Sequence, residues 1–221
     1  MIVAPRPYVG ADASIQPIPI VELYSGRWFV QGIRAGYRFV DTESIDFDVR
    51  VRFRFSGLDP DDSPFLDGME ERRETVEAGL GLDWELARAW RGAFELELRA
   101  FADVLGRSDG FESSVDLGWR RGFGTGKMNL LPAVVMVYQR ADQVDYYYGV
   151  RPDEARPGRP AFQGEAVFNP RASVLFVYRF TQRWGLTTLV SVDFFDDEIT
   201  SSPIVDQSSE LFGLVGLAYS F

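Results

Sequence analysis

Ile45-Asp46-Phe47-Asp48-Val49-Arg50-Val51-Arg52-Phe53-Arg54-Phe55 sets an apolar residue at every odd position and a charge at every even one. Successive side chains of a strand point to opposite faces. Ile45, Phe47, Val49, Val51, Phe53 and Phe55 therefore share one face, and Asp46, Asp48, Arg50, Arg52 and Arg54 share the other. A helix would spread the charges around its whole circumference, so the stretch is a strand. It is also long, since soluble strands have a mode of about 5–6 residues.

The pattern recurs on both sides. In 74–86, Val76, Ala78, Leu80, Leu82, Trp84 and Leu86 oppose Thr75, Glu77, Asp83 and Glu85. In 93–104, Phe94, Leu96, Leu98, Ala100 and Val104 oppose Glu95, Glu97, Arg99 and Asp103. In 111–121, Val115, Leu117 and Trp119 oppose Glu112, Asp116 and Arg120, and 171–180 and 185–195 continue with apolar residues at alternate positions. The last residues place Val215, Leu217, Tyr219 and Phe221 on one face and the small Gly216, Ala218 and Ser220 on the other. The candidates are 2–10, 15–24, 28–40, 44–56, 73–87, 92–104, 111–121, 128–141, 165–180, 184–196 and 209–221. Pro5, Pro7, Pro17 and Pro19 interrupt the first two of them, because proline cannot donate to a ladder.

Two architectures accommodate such strands. A soluble antiparallel sandwich would turn the apolar faces inward. A membrane barrel would turn them outward to lipid and enclose the charges. Strand length, aromatics near strand ends (Tyr24, Trp28, Trp84, Trp90, Tyr178, Trp184, Tyr219), and short turns alternating with long polar loops at 56–72, 142–164 and 196–209 favour the barrel. The expected fold is all-β: a closed antiparallel up-and-down transmembrane barrel over residues 1–221, one domain. Bacterial single-chain barrels have even strand numbers, which gives about ten strands, with about twelve as the alternative.

Composition narrows the function. At 221 residues, 46% hydrophobic, the chain has no apolar run approaching the roughly 18 residues of a membrane helix. A net charge of −10 without a basic stripe argues against nucleic acid as a partner. With no cysteine there is neither a disulfide framework nor a thiolate metal site, and with no histidine the Ser-His-Asp hydrolases and most zinc hydrolases are excluded. No catalytic, cofactor-binding or metal-binding residue is expected, and no enzyme. The chain opens without a secretory leader. The expectation is a leader removed, or a start placed too late with the first strand truncated.

An aromatic carboxy-terminal strand resembles the closing strand of bacterial outer-membrane barrels. Beyond that class, the chain resembles the MipA/OmpV family. The residues that carry the resemblance are Pro7-Tyr8-Val9-Gly10, Pro17-Ile18-Pro19-Ile20, Gly32 with Gly36-Tyr37, Glu77-Ala78-Gly79-Leu80, Tyr148-Gly149-Val150, Ser202-Pro203-Ile204-Val205 and the closing Gly216-Leu217-Ala218-Tyr219-Ser220-Phe221. The resemblance implies the outer membrane of a Gram-negative bacterium, in contact with lipid and lipopolysaccharide. It further implies a scaffold joining a murein-degrading lytic transglycosylase to a penicillin-binding protein. The alternative is a narrow porin-like channel, or a binding protein for small polar solutes or antibiotics. Val215, Leu217, Tyr219 and Phe221 are then the signal read by the barrel assembly machinery.

The candidate lumen charges are Asp46, Asp48, Arg50, Arg52, Arg54, Glu77, Asp83, Glu85, Glu95, Glu97, Arg99, Glu112, Asp116 and Arg120. They either pair and plug the lumen or line a path for small polar solutes. Acidic stretches at Asp59-Pro60-Asp61-Asp62 and 193–198 lack the ligand spacing of a calcium loop and read as solvated loops. Tyr146-Tyr147-Tyr148 is either a recognition patch or part of an aromatic belt. Gly122-Phe123-Gly124-Thr125-Gly126-Lys127 reads as a hairpin turn rather than a phosphate loop.

Overall fold

A computed structural model describes residues 2–4, 6–12, 14–16, 22–124 and 126–219. It is an antiparallel meander of strand segments hydrogen-bonded into one sheet. The short early segments are β1 (Ile2–Ala4), β2 (Ser14–Gln16), β3 (Glu22–Ser25) and β4 (Trp28–Gln31). The long ones are β5 (Arg34–Asp41), β6 (Ile45–Arg54), β7 (Thr75–Ala89), β8 (Gly92–Asp103), β9 (Phe111–Phe123), β10 (Met128–Gln139), β11 (Val167–Arg179), β12 (Trp184–Phe194) and β13 (Ser209–Tyr219). A helix α1 (Ala141–Tyr148) follows β10, and a single turn α2 (Asp197–Thr200) follows β12.

Each strand from β3 onward pairs with the next in sequence, and the order then returns through β1, which pairs with β13 at Ile2↔Leu214. The sheet thus ends on β2 at one side and β3 at the other. Thirteen described segments stand where about ten or twelve strands were expected. The difference arises at the N-terminal end. Among the described residues of candidate 2–10 only Ile2–Ala4 pairs as a strand, and candidate 28–40 is split into β4 and β5 by a turn with Gly32 at φ 59°. That turn requires a left-handed residue, which glycine supplies without strain. From β6 onward the observed strands follow the predicted boundaries closely.

Burial along β6 settles which face is which. Asp48 and Arg50 are 2% and 3% exposed, whereas Val49 and Val51 are 38% and 43% exposed. Leu80, Val115, Leu117, Val134, Val190 and Leu217 are exposed in the same way. This is the reverse of a soluble sheet, and it overturns the sandwich alternative. The charged face is concave: Arg52 and Arg54 on β6 reach Glu112 on β9 across two intervening strands.

The two rims differ. At one, the hairpins are tight: 26–27, 42–44, 90–91, 124–127 and 180–183. All five tryptophans (Trp28, Trp84, Trp90, Trp119, Trp184) lie on or near these turns, as interfacial aromatics do. Tyr24, expected in this girdle, instead pairs opposite Phe29 on the concave face, where Gln31 donates to its hydroxyl. At the other rim, long loops follow β6, β10 and β12.

Candidate functional site

Both the interior of the sheet and the loop-bearing rim are densely built. Nearest the loops, Arg52 and Arg54 each bridge Glu77 and Glu112. The four contacts are Arg52–Glu77 at 2.6 Å, Arg52–Glu112 at 2.6 Å, Arg54–Glu77 at 2.6 Å and Arg54–Glu112 at 2.5 Å. The ring of two cations and two anions ties β6, β7 and β9 together. Its floor is Phe101 on β8, whose ring centroid lies 3.8 Å from the Arg52 guanidinium. Buried charges cost several kcal/mol each unless paired and hydrogen-bonded, and here every charge has two partners.

Deeper in the wall, Arg50 contacts Asp48 and stands 3.6 Å from Asp83. Its guanidinium occupies the space that any side chain at Gly81 would need. Arg99 pairs with Asp116 at 2.5 Å and contacts Glu97, and Ser114 donates to Asp116 at 2.7 Å. Near the tight turns, Arg120 pairs with Glu95 and lies 3.4 Å from Glu85, which Arg88 also holds. Asp46, on the same face, keeps one carboxylate oxygen without a hydrogen bond, and so does Asp83. Of the fourteen expected charges the structure therefore brings most together in three tiers of ion pairs.

Several participants have no counterpart in the alternation argument. Gln139 donates to Glu112 at 3.2 Å, Asn169 donates to Gln139 at 3.1 Å, and Asn169 in turn accepts from the backbone N–H of Asp196 at 2.9 Å. Gln143 of α1 reaches Glu112 at 3.4 Å. This hydrogen-bonded chain runs from the ion-pair ring to the loop after β12. Arg171, paired with Asp193 at 2.5 Å, adds a further bridge. The only sequence signal for these positions is a polar residue facing inward near a strand's loop end.

Above the ring sits a cap with a core of its own. Residues 6–12 and the loops 55–74, 140–166 and 195–208 contribute Tyr8, Leu58, Leu66, Met69, Val144, Val150, Ile199, Ile204 and Val205, joined by Val167 of β11. The polar frame is equally closed. Arg72 binds both carboxylate oxygens of Glu154 at 2.9 and 2.7 Å, and Glu154 also accepts from the N–H of Glu70 and of Arg151. Burial opposes ionisation of Glu154, but these hydrogen bonds prevail and hold its carboxyl below the usual carboxylate range. Arg159, 1% exposed, donates to the carbonyls of Phe65, Asp67 and Glu154.

The cap also reassigns two sequence features. Tyr147 is buried, and Tyr148 packs on the cap core. The tyrosine run is thus neither an exposed patch nor a belt. Burial pushes the hydroxyl pKa of Tyr8, Tyr147 and Tyr148 upward, so all three stay neutral. In the acidic stretches, Asp59 caps a 3-10 turn at Pro60–Asp62, Asp62 contacts Arg6, and Asp196 caps α2. Among the described residues no cluster of three or more acids could hold a metal ion.

An apolar exterior and an ionic concave interior define an outer-membrane protein of barrel-like, all-β type, and among the described residues no helix is long and apolar enough to cross a membrane. The chain belongs to the family described as MltA-interacting protein MipA, whose model matches residues 1–221. Among its relatives, the MltA-interacting protein of Escherichia coli K12 is 23% identical over 99% of this chain and 87% of its own length. The outer membrane protein OmpV of Vibrio cholerae is 27% identical over 84% of this chain and 70% of its own, and Omp26La of Vibrio anguillarum is 26% identical over the same shares. No solved structure matches the chain. The resemblance drawn from the sequence motifs and the outer-membrane location are thereby borne out.

Proposed function

We propose that the chain closes into a non-conducting barrel that serves as a scaffold for the murein-synthesising and murein-degrading machinery. The observation that carries this reading is the filled interior, with three tiers of ion pairs beneath a cap that has its own apolar core. A pore would need those pairs broken and the cap displaced.

Closure has a directional argument. β1 runs antiparallel to both β13 and β2, and strict alternation from β13 back to β3 gives β2 and β3 the same direction. Side by side they would be a parallel pair, which needs a crossover of about a dozen residues or more. Counted as one stave they give about twelve, an even number. In bacterial barrels the short turns face the periplasm and the longer loops the exterior. The tight-turn rim is then the surface that meets murein enzymes, and the loop cap is the surface beside lipopolysaccharide.

For partners, the reading rests on what the Escherichia coli relative is named for, an interaction with MltA. A lytic transglycosylase is the first partner to seek, and a penicillin-binding protein the second. The decisive experiment joins planar-bilayer recording with affinity capture from cross-linked envelopes. A silent bilayer and recovery of a lytic transglycosylase are expected. Reproducible open steps that disappear when Arg52 and Arg54 are neutralised would replace the scaffold with a channel for small polar solutes.

A further inference from the structure

The exterior of the wall is not uniformly bulky. Across β9 to β12, Pro132 and Ala172 sit among Leu117, Trp119, Val134 and Val190 and leave an outward-facing concavity of about 550 Å3. Its origin is local. Proline has no N–H, and the β9–β10 ladder skips Leu131 and Pro132 before resuming at Ala133↔Gly118. The volume falls within the roughly 300–1,000 Å3 of small-molecule pockets. Its lining is apolar.

The tight-turn end of this groove is basic and aromatic. The Trp119 indole donates to the carbonyl of Ala89 at 3.4 Å, which sets the ring against the β7–β8 turn. The Arg121 guanidinium lies 5.6 Å from the Trp119 ring and 4.7 Å from Phe123. Arg91 in one neighbouring turn and Lys127 in the next are exposed. Among the described residues, neither side chain has a hydrogen bond or an ion pair. The β7–β8 turn is itself unusual. Trp90 and Arg91 hold φ of 53° and 62°, a left-handed pair for which Asn-Gly or Asp-Gly is the favoured choice. A large aromatic and a cation are kept there against backbone preference.

We propose that this groove and its basic rim bind one anionic glycerophospholipid. An acyl chain lies along Pro132 and Ala172, and the headgroup phosphate meets Arg91, Arg121 and Lys127. Arginine suits phosphate because its planar fork donates two parallel hydrogen bonds. Each cation near a membrane surface also favours anionic lipid. The depth agrees as well, since aromatic girdles mark the headgroup level and the groove extends from Trp119 toward mid-wall. The site is independent of the scaffold reading: it needs only the exterior of the wall.

The test is native mass spectrometry of the full chain refolded in a non-ionic detergent, with phosphatidylglycerol or phosphatidylcholine added. One phosphatidylglycerol should be retained in preference to phosphatidylcholine. Arg91→Gln, Arg121→Gln and Lys127→Gln should each weaken that retention roughly fivefold, and weaken phosphatidylcholine, whose choline offsets the phosphate charge, less. Ala172→Leu, which fills the groove from an exposed position, should weaken both lipids. Heat-modifiable gel migration reports that each variant is folded. Equal retention of the two lipids by the unaltered protein, or full phosphatidylglycerol retention after all three cations are neutralised, would overturn the site. Displacement of the lipid by glycerol 3-phosphate would also overturn it, assigning the cations to a free phosphate.

Discussion

The wall and the cap obey opposite rules within one chain. In the wall, Val51 is 43% exposed while Glu77 is 2% exposed; in the cap, Leu66 and Ile204 are fully buried. The chemistry of the side chains is the same in both. What differs is the surrounding medium. Lipid offers an apolar side chain a good solvent, so burying valine in the wall gains little, and the charges turn to one another instead. Water drives the cap's apolar residues together at roughly 25 cal/mol per Å2 buried. A single chain thus carries two cores, one ionic and one apolar, meeting at Glu112 and Gln143.

The contrast can be broken most severely at the end of β13. Deleting residues 219–221 removes the backbone pairing of Tyr219 with Trp184 and the aromatic face that we assign as the assembly signal. It should abolish insertion into the outer membrane, read by envelope fractionation. Normal insertion would dismiss that assignment. Next in size is the ion-pair ring. Glu77→Gln leaves Arg52 and Arg54 sharing one carboxylate, at a cost of about 3–5 kcal/mol in urea unfolding from lipid vesicles. A loss under 1 kcal/mol would mean that the ring is not the core of the wall.

A charge placed on the exterior sharpens the comparison further. Val49→Arg should cost roughly 2–4 kcal/mol deeper in the wall, whereas Asp153→Arg on the cap surface should stay within about 0.5 kcal/mol. Equal costs at the two positions would contradict a lipid-facing β6. The smallest effect belongs to the cap. The Glu154 carboxyl is held below its ordinary value, so its contribution to stability is fully present above the unfolded carboxylate pKa, about 4.3. That contribution is lost as pH falls through the folded value. Limited proteolysis of the cap loops should therefore accelerate on acidification below about pH 4, with the wall intact, and Glu154→Gln should flatten the dependence. A cap indifferent to acid, or a wall that fails first, would show that the two cores are not separable.

What the sequence disclosed divides along the same line. β6 to β9 and β11 to β13 are legible because period-two alternation is a local signal, visible in Phe47-Asp48-Val49-Arg50 without any knowledge of neighbours. Inward charges were legible for the same reason. The cap was not. Its core gathers Tyr8, Leu58, Leu66, Val144, Ile199 and Ile204 from four separate segments with no common period. The chain from Glu112 through Gln139 and Asn169 to Asp196 depends on which strands become neighbours, a property of topology. Asp48 marks where face alone falls short. Period two places it inward, but only the neighbouring strands show that, at 2% exposure and paired with Arg50, it has no room for a second cation.

The cap also fixes an order of events. In the orientation proposed above, assembly from the periplasm requires the segments 55–74, 140–166 and 195–208 to cross the bilayer, with Asp61, Glu71, Asp142, Asp153 and Asp197 among them. A folded apolar core carrying that many acids cannot pass through hydrocarbon. The loops must therefore travel extended and condense only after the staves are in place. In that orientation the cap is the last part of the molecule to fold, after its segments have passed the bilayer.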